Sequence, residues 1–247
     1  MTCDELFMLF PTPQLFTTFQ SRPQRFLAEV TFPEEGEVIV YCANPGSLNG
    51  CLKTGRTALV WDSTDSKRKL RYTWRAIELE GVWVGTDTHL ANRLVEKALR
   101  LKLIPGFETY DTLARECFVE VGFRVDFFLS GLQGACMVEV KSATVVEKGV
   151  ARYPDSSTPR GVKQLKALTR KAAEGFRSVL IFLVQRADAK CFVVSNSHDP
   201  AYAEAFEEAV AAGVEVIALA VSVCPEGFGT LKRLPYAQRP IASMKTT

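Results

Sequence analysis

Histidine is almost missing from this chain of 247 residues: His89 and His198 are the two it has. A zinc site built from paired Cys and His therefore has little to draw on. The seven cysteines, Cys3, Cys42, Cys51, Cys117, Cys136, Cys191 and Cys224, are odd in number and form no CxxC. That argues against a disulfide framework and for reduced, mostly buried thiols in a cytoplasm. Long apolar runs are absent. The stretch VLIFLV, from Val179 to Val184, is far short of a membrane span, so no membrane partner is expected. Asp4 and Glu5 stand where a secretion signal carries positive charge. The chain has no GxxxxGKS or GxxxxGKT loop, no GxGxxG after a strand and no GxSxG elbow. Acids and bases nearly balance, leaving a net charge of +2, so any basic patch for a polyanion must be local.

What remains is an ordinary globular composition, 47% apolar and 23% charged, on a chain long enough for a self-supporting core. The first third reads as short strands separated by turn residues: 24–32, 37–42, 57–61, 72–79 and 82–84. About five strands in so short a stretch predict a small OB-like β-barrel. From residue 88 the period changes. Thr88 is the expected N-cap of a helix over 89–103. Strands follow at 115–121, 124–130 and 136–146, then a helix over 160–174. Strands at 179–184 and 191–194, a helix over 200–212 and a strand at 214–223 complete the pattern. This order predicts an α/β domain with a mixed sheet flanked by helices. The expected division is 1–86 and 87–247. The segment after Pro225 is expected to be irregular.

The chemistry concentrates in RVDFFLSGLQGACMVEVKSATVV. Glu139 and Lys141, two apart on a strand, share one face. Gly131–Gly134 makes a natural hairpin loop, which sets Ser130 opposite Ala135 and Asp126 opposite Glu139. Opposed carboxylates repel. Placed beside a lysine on a partly covered face, they suit a hard cation, Mg²⁺ or Mn²⁺. Lys141 would then hold or activate water, or stabilise a negative transition state. A solvated charged face is the bland alternative.

Two cationic stretches suit phosphates. On the helix from Arg160, the residues Lys163, Lys166, Arg170 and Arg177 fall in a stripe roughly 60° wide at 100° per residue, opposite Leu165, Leu168 and Ala172. Gln164 lies at the border, where it can steer a water or a phosphate. In the first domain, Lys67, Arg68, Lys69 and Arg71 precede Tyr72 and Trp74, a cation–aromatic mixture suited to single strands; Trp74 and Trp83 read better as core. The loop Asn44–Ser47 can present N–H groups to an anion or simply turn. His89 reads as a helix-cap residue, and His198 as part of a turn.

The stretches RFLAEV, CANPGSLNGC, KRKLRYTW, GVWVGTDTHLANRLVEKAL, RVDFFL, VEVKSATVV, YPDSSTPRG and AAGVEVIALAVSV resemble the sugar fermentation stimulation protein A family over nearly the whole chain. The resemblance implies an OB-like barrel joined to a PD-(D/E)XK nuclease-type domain, with nucleic-acid binding. It implies a metal site at Asp126 and Glu139 with Lys141, joined by Glu96 from the preceding helix. It gives Gln164 a site position where histidine is the family's expected residue. Two functions follow: a Mg²⁺- or Mn²⁺-dependent phosphodiesterase acting on DNA, RNA or single strands, and a non-enzymatic DNA-binding regulator of sugar metabolism. A binding module for another polyanion is the third. The sequence leaves the oligomeric state open.

Overall fold

The computed structural model describes residues 5–132 and 134–237. After a two-residue strand, β1 (Met8–Leu9), the chain builds β2 (Gln14–Gln24), β3 (Leu27–Phe32), β4 (Gly36–Cys42), β5 (Thr57–Asp62), β6 (Tyr72–Leu79) and β7 (Val82–Gly85). The last six form one sheet in the order β4-β3-β2-β5-β6-β7. A parallel pairing of β4 with β6, Tyr41 to Thr73 and Cys42 to Trp74, closes it into a five-stranded OB-like barrel. Alternation sends Phe19, Val30, Val40, Val60 and Trp74 inward. The Phe19 and Trp74 rings stack at 4.9 Å, and the indole N–H of Trp74 donates to the Ala76 carbonyl.

The rest comprises α1 (Thr88–Arg100), β8 (Tyr110–Glu120), β9 (Phe123–Gly131), β10 (Gly134–Ala143), β11 (Val145–Glu147), β12 (Val150–Tyr153), α2 (Pro159–Ala173), β13 (Arg177–Val184), β14 (Cys191–Val194), α3 (Pro200–Ala211), β15 (Glu215–Cys224), β16 (Gly227–Leu234) and β17 (Tyr236–Ala237). A mixed seven-stranded sheet runs β1-β16-β15-β13-β10-β9-β8, and a small second sheet runs β11-β12-β14-β17. The parallel centre, β10-β13-β15, is covered on both sides. That is why Ser178–Val184 is buried without alternation. One face packs under α1 through Leu90, Leu94, Val138 and Ile181; the other packs under α2 and α3 through Leu165, Leu168, Phe182 and Phe206. The expected mixed α/β architecture is present.

Several expectations are corrected. Residues 14–23 are strand: three prolines at 11, 13 and 23 and a half-buried alternation hide β2 in the sequence. The segment after Pro225 is not irregular over its described part. Residues 227–234 pair with β15, and their polar side chains reflect a solvated face. The last ten residues of that tail, like Cys3, lie outside the described residues. Val150–Tyr153 also forms a strand, β12, where no strand is expected. The N-cap of α1 is Asp87, whose carboxylate accepts from the His89 and Leu90 N–H groups, not Thr88. Arg177 belongs to β13, where it pairs with Glu215, and so leaves the helical stripe. Met8 and Leu9 do not join the barrel but pair with Phe228 and Gly227 in the large sheet, where Phe10 meets Phe228 edge to face at 4.9 Å.

The barrel is pinned to the sheet at several points. Arg75 of β6 forms a buried ion pair with Asp87, the cap of α1. Gly85 donates from its N–H to the Gln185 carbonyl. The loop Asn44–Ser47 makes a turn in which the Gly46 N–H donates to the Asn44 side chain, and it is the next residue, Leu48, whose N–H donates to the Asp155 carboxylate at 2.9 Å. The six described cysteines are free, with Cys42, Cys51, Cys136 and Cys224 buried. No helix among the described residues is long and apolar enough to cross a membrane.

Candidate metal and nucleic-acid site

The β9–β10 hairpin has the expected register, with Ser130 opposite Ala135. The ladder ends at the pair Val138–Phe127. One step further the strands part, and the Asp126 carboxylate fills the gap. It accepts from the Val140 N–H at 2.8 Å, the bond that a strand neighbour would otherwise make, and from the Asn92 side chain of α1 at 2.9 Å. Burial pushes the Asp126 carboxyl above its ordinary value, against the pull of the Val140 N–H and Lys141.

Glu139, one residue beyond the last ladder pair, is 2% exposed. One of its oxygens accepts from the Lys141 ammonium at 2.7 Å and from the Gln164 amide. The Gln164 carbonyl in turn accepts from Lys141 at 2.7 Å. The other oxygen, Oε2, is buried and has no hydrogen-bond partner. Burial, opposed by Lys141 and reinforced by Asp126, pushes Glu139 up to about 7. Burial alone would lower Lys141. Glu139, with Tyr153 and Asp126, outweighs that effect and keeps the ammonium charged.

Glu139, Lys141 and Gln164 are therefore one hydrogen-bonded group, and Asp126, tied to the same strand through the Val140 N–H, acts on Glu139 by its charge. Glu96 is not part of it: its two oxygens pair with Arg100 and Arg115. Asn92, one turn earlier on α1, makes the contact with Asp126 instead. No set of three His, Cys, Asp or Glu side chains with metal-holding geometry occurs among the described residues. The signal for Asn92 was a poor helix former in mid-helix, four residues before Glu96. The Val140 N–H carries no side-chain signal.

Beside this group lies a cleft of about 570 Å³ between α2 and the β8–β9 hairpin. Arg160, Lys163, Lys166 and Arg170 line one wall, and Gln164 links the cleft to Glu139. Arg160, Lys163 and Lys166 are exposed and form no ion pair among the described residues, whereas Arg170 binds Glu120. The barrel's basic stretch differs. Arg71 clasps Asp62 and lies over Tyr72, and Arg68 donates to Thr73 and lies 5.2 Å from the Trp61 ring centroid. Lys67 and Lys69 are exposed and unpaired among the described residues. Tyr72 and Trp74 are barrel core, whereas Trp83 is half-buried.

An OB-like barrel followed by a mixed sheet flanked by helices, the sheet carrying Asp126 and the Glu139–Lys141 pair, defines a mixed α/β protein with an N-terminal barrel. The model of the "SfsA N-terminal OB domain" matches residues 21–86, and that of the "Sugar fermentation stimulation protein RE domain" matches residues 89–227. The chain belongs to the sugar fermentation stimulation protein family. It is 37% identical to the sugar fermentation stimulation protein homolog of Geobacter sulfurreducens, over 92% of this chain and 98% of that one. It is 39% identical to the homolog of a Ruegeria species, over 89% and 96%. Its fold is similar to that of Pyrococcus furiosus SfsA in complex with Ca²⁺, at a TM-score of 0.87 and 28% identity, covering 94% and 99% of the two chains.

Proposed function

We propose that the protein binds nucleic acid, DNA in the first place, and that Asp126 and Glu139 hold a divalent cation, Mg²⁺ or Mn²⁺, for phosphodiester cleavage. The observation that carries this is the buried, unpartnered Oε2 of Glu139 close to a second carboxylate. A buried acceptor without a donor costs about 1–3 kcal/mol, more for a charged group. A hard cation removes that cost, so the residues fit the group. The Ca²⁺ in the structure of the Pyrococcus furiosus relative supports a cation of this class. When bound, such an ion supplies Lewis-acid polarisation of a phosphate and a more acidic water. The chain's own residues do the rest. The Val140 N–H and Asn92 orient Asp126. Gln164 fixes both Glu139 and Lys141. Because Lys141 stays charged, its role is to stabilise negative charge on the phosphate rather than to take a proton. Arg160, Lys163 and Lys166 hold the strand.

Binding without turnover is a second reading, favoured by the engagement of Glu96 with Arg100 and Arg115, which leaves two carboxylates rather than three.

The test is cleavage of labelled DNA and RNA with Mn²⁺ or Mg²⁺, beside binding in EDTA. Asp126→Ala and Glu139→Ala should lower cleavage by about a thousandfold or more, the effect of losing several kcal/mol of charge stabilisation. Binding in EDTA should hold or tighten. Cleavage that survives Asp126→Ala would overturn the site; wild type that binds but never cuts would establish the second reading.

A further inference from the structure

The cleft beside α2 has two unlike walls. Five cations and one carboxylate line it, and the carboxylate, Glu120, is held by Arg170 and Lys171. Opposite the helix stands the tip of the β8–β9 hairpin. Its closing pair is Glu120–Phe123, its two-residue turn is Val121–Gly122, and Gly122 takes a φ of +79°, a conformation that favours glycine. The tip is apolar. Val121 is fully exposed and Phe118 is 75% exposed. Phe123 and Val125 are buried beneath them, so the hairpin is anchored and its apolar end is fixed in place. Arg124 approaches the Phe118 ring, 5.7 Å from its centroid, and also pairs with Glu116.

A fixed, exposed phenylalanine across a cleft from unpaired cations needs a ligand that is charged on one side and flat and apolar on the other. A double helix does not offer this, since it presents phosphates outward and keeps its bases paired and stacked. An unpaired strand does: its phosphates can follow Arg160, Lys163 and Lys166 while a base stacks on Phe118. We infer that the cleft takes single-stranded nucleic acid, or an unpaired stretch of a longer molecule, with Phe118 as its stacking platform. This rests on the nucleic-acid-binding reading above and names the form of the substrate. Gln164, on the floor of the cleft, bonds to Glu139, so a strand lying here runs towards the carboxylates.

The probe is a short DNA strand carrying 2-aminopurine, used alone and as a blunt duplex of the same sequence, in EDTA so that nothing is cut. Wild type should bind the single strand more tightly than the duplex and quench 2-aminopurine fluorescence. Phe118→Ala should lower single-strand affinity by about 5- to 100-fold and abolish the quenching. Its duplex affinity should be unchanged, and Phe118→Trp should retain both affinity and quenching. Phe118 is exposed, so an unchanged melting temperature is expected and checks that the fold is intact. Equal affinity for the two forms, or Phe118→Ala that binds and quenches like wild type, would overturn the inference while leaving nucleic-acid binding in place. Wild type that binds neither form would overturn both readings. Phe118-dependent quenching in a protein that never cleaves would uphold the inference and end the phosphodiesterase reading.

Discussion

Asp62 in the barrel and Glu139 in the large sheet are both carboxylates with almost no exposure, 4% and 2%, and both have cations beside them. They are used in opposite ways. Asp62 is clasped by Arg71 through two bonds and accepts from the Thr64 N–H, so its donors are complete and its carboxyl is held below the ordinary value by the Arg71 bonds first. Its cover is the arginine itself, which is largely exposed. Glu139 lies between the sheet and α2, has one oxygen bonded and one orphaned, and is pushed up by burial. The cations differ in the same way. Arg68 and Arg71 are occupied with Trp61, Thr73, Asp62 and Tyr72, while Arg160, Lys163 and Lys166 face solvent without ion pairs among the described residues. A saturated acid and its arginines hold a loop in shape. An unsaturated acid beside free cations is equipped for something from outside.

The strongest way to break this contrast is to remove the free cations. Arg160→Ala, Lys163→Ala and Lys166→Ala together should weaken DNA binding by one to three orders of magnitude. They should also reduce the slope of log K against log salt by about 2–3, at roughly 0.7–0.9 per lost phosphate contact. An unchanged slope would reduce α2 to a solvated face.

A smaller effect separates the two acids by pH. The folded-state value of Glu139 lies near 7 against an ordinary 4.5, so between those values the folded protein holds a proton that the unfolded chain releases. Metal-free stability should therefore fall as pH rises through that window, by about 1–3 kcal/mol. Glu139→Gln should flatten the fall and remove any stabilisation by Mn²⁺ at pH 7.5. Asp62, displaced downward, stabilises above its ordinary 3.8 and loses that contribution as pH falls through its folded value, so Asp62→Asn should flatten only the acid side. Thermal melts from pH 3 to 8 would show it; a wild-type melting temperature that rises between pH 4.5 and 7 would contradict the assignment to Glu139.

The smallest effect is expected at Arg71. Arg71→Ala should shift the salt slope by less than one contact's worth, under about 0.7, because its guanidinium is already spent on Asp62. A full unit lost there would mean that the barrel arginine leaves Asp62 for phosphate.

The sequence carried the hairpin well. The Gly131–Gly134 loop and the period of two fix which residues face each other, and Glu139 and Lys141 follow from spacing alone. The amphipathic pattern of α2 likewise separates Leu165 and Leu168 from Lys163 and Lys166. What stayed hidden depends on distant partners. Nothing local distinguishes Arg71, which is clasped, from Lys69, which is free. On α1 the i,i+4 spacing makes the Glu96–Arg100 ion pair legible, whereas the second partner of Glu96, Arg115 on β8, and the contact of Asn92 with Asp126 are not. β16 is hard to read because an antiparallel strand with one wet face has a weak apolar signal, and β2 because Pro11 and Pro13 precede it and Pro23 lies near its end.

The pairing of Met8 with Phe228 also bears on how the chain is made. The barrel's sheet is complete once residue 85 has emerged, and all its strand pairings lie within that stretch. β1 precedes the barrel yet has to wait for β16, which is synthesised long after it. Synthesis at about 5–20 residues per second puts some ten seconds or more between the two. Through that interval β1 lacks its strand partner. The pairing of β1 with β16 is a long-range closure, and contacts this distant in sequence are the slow ones to form.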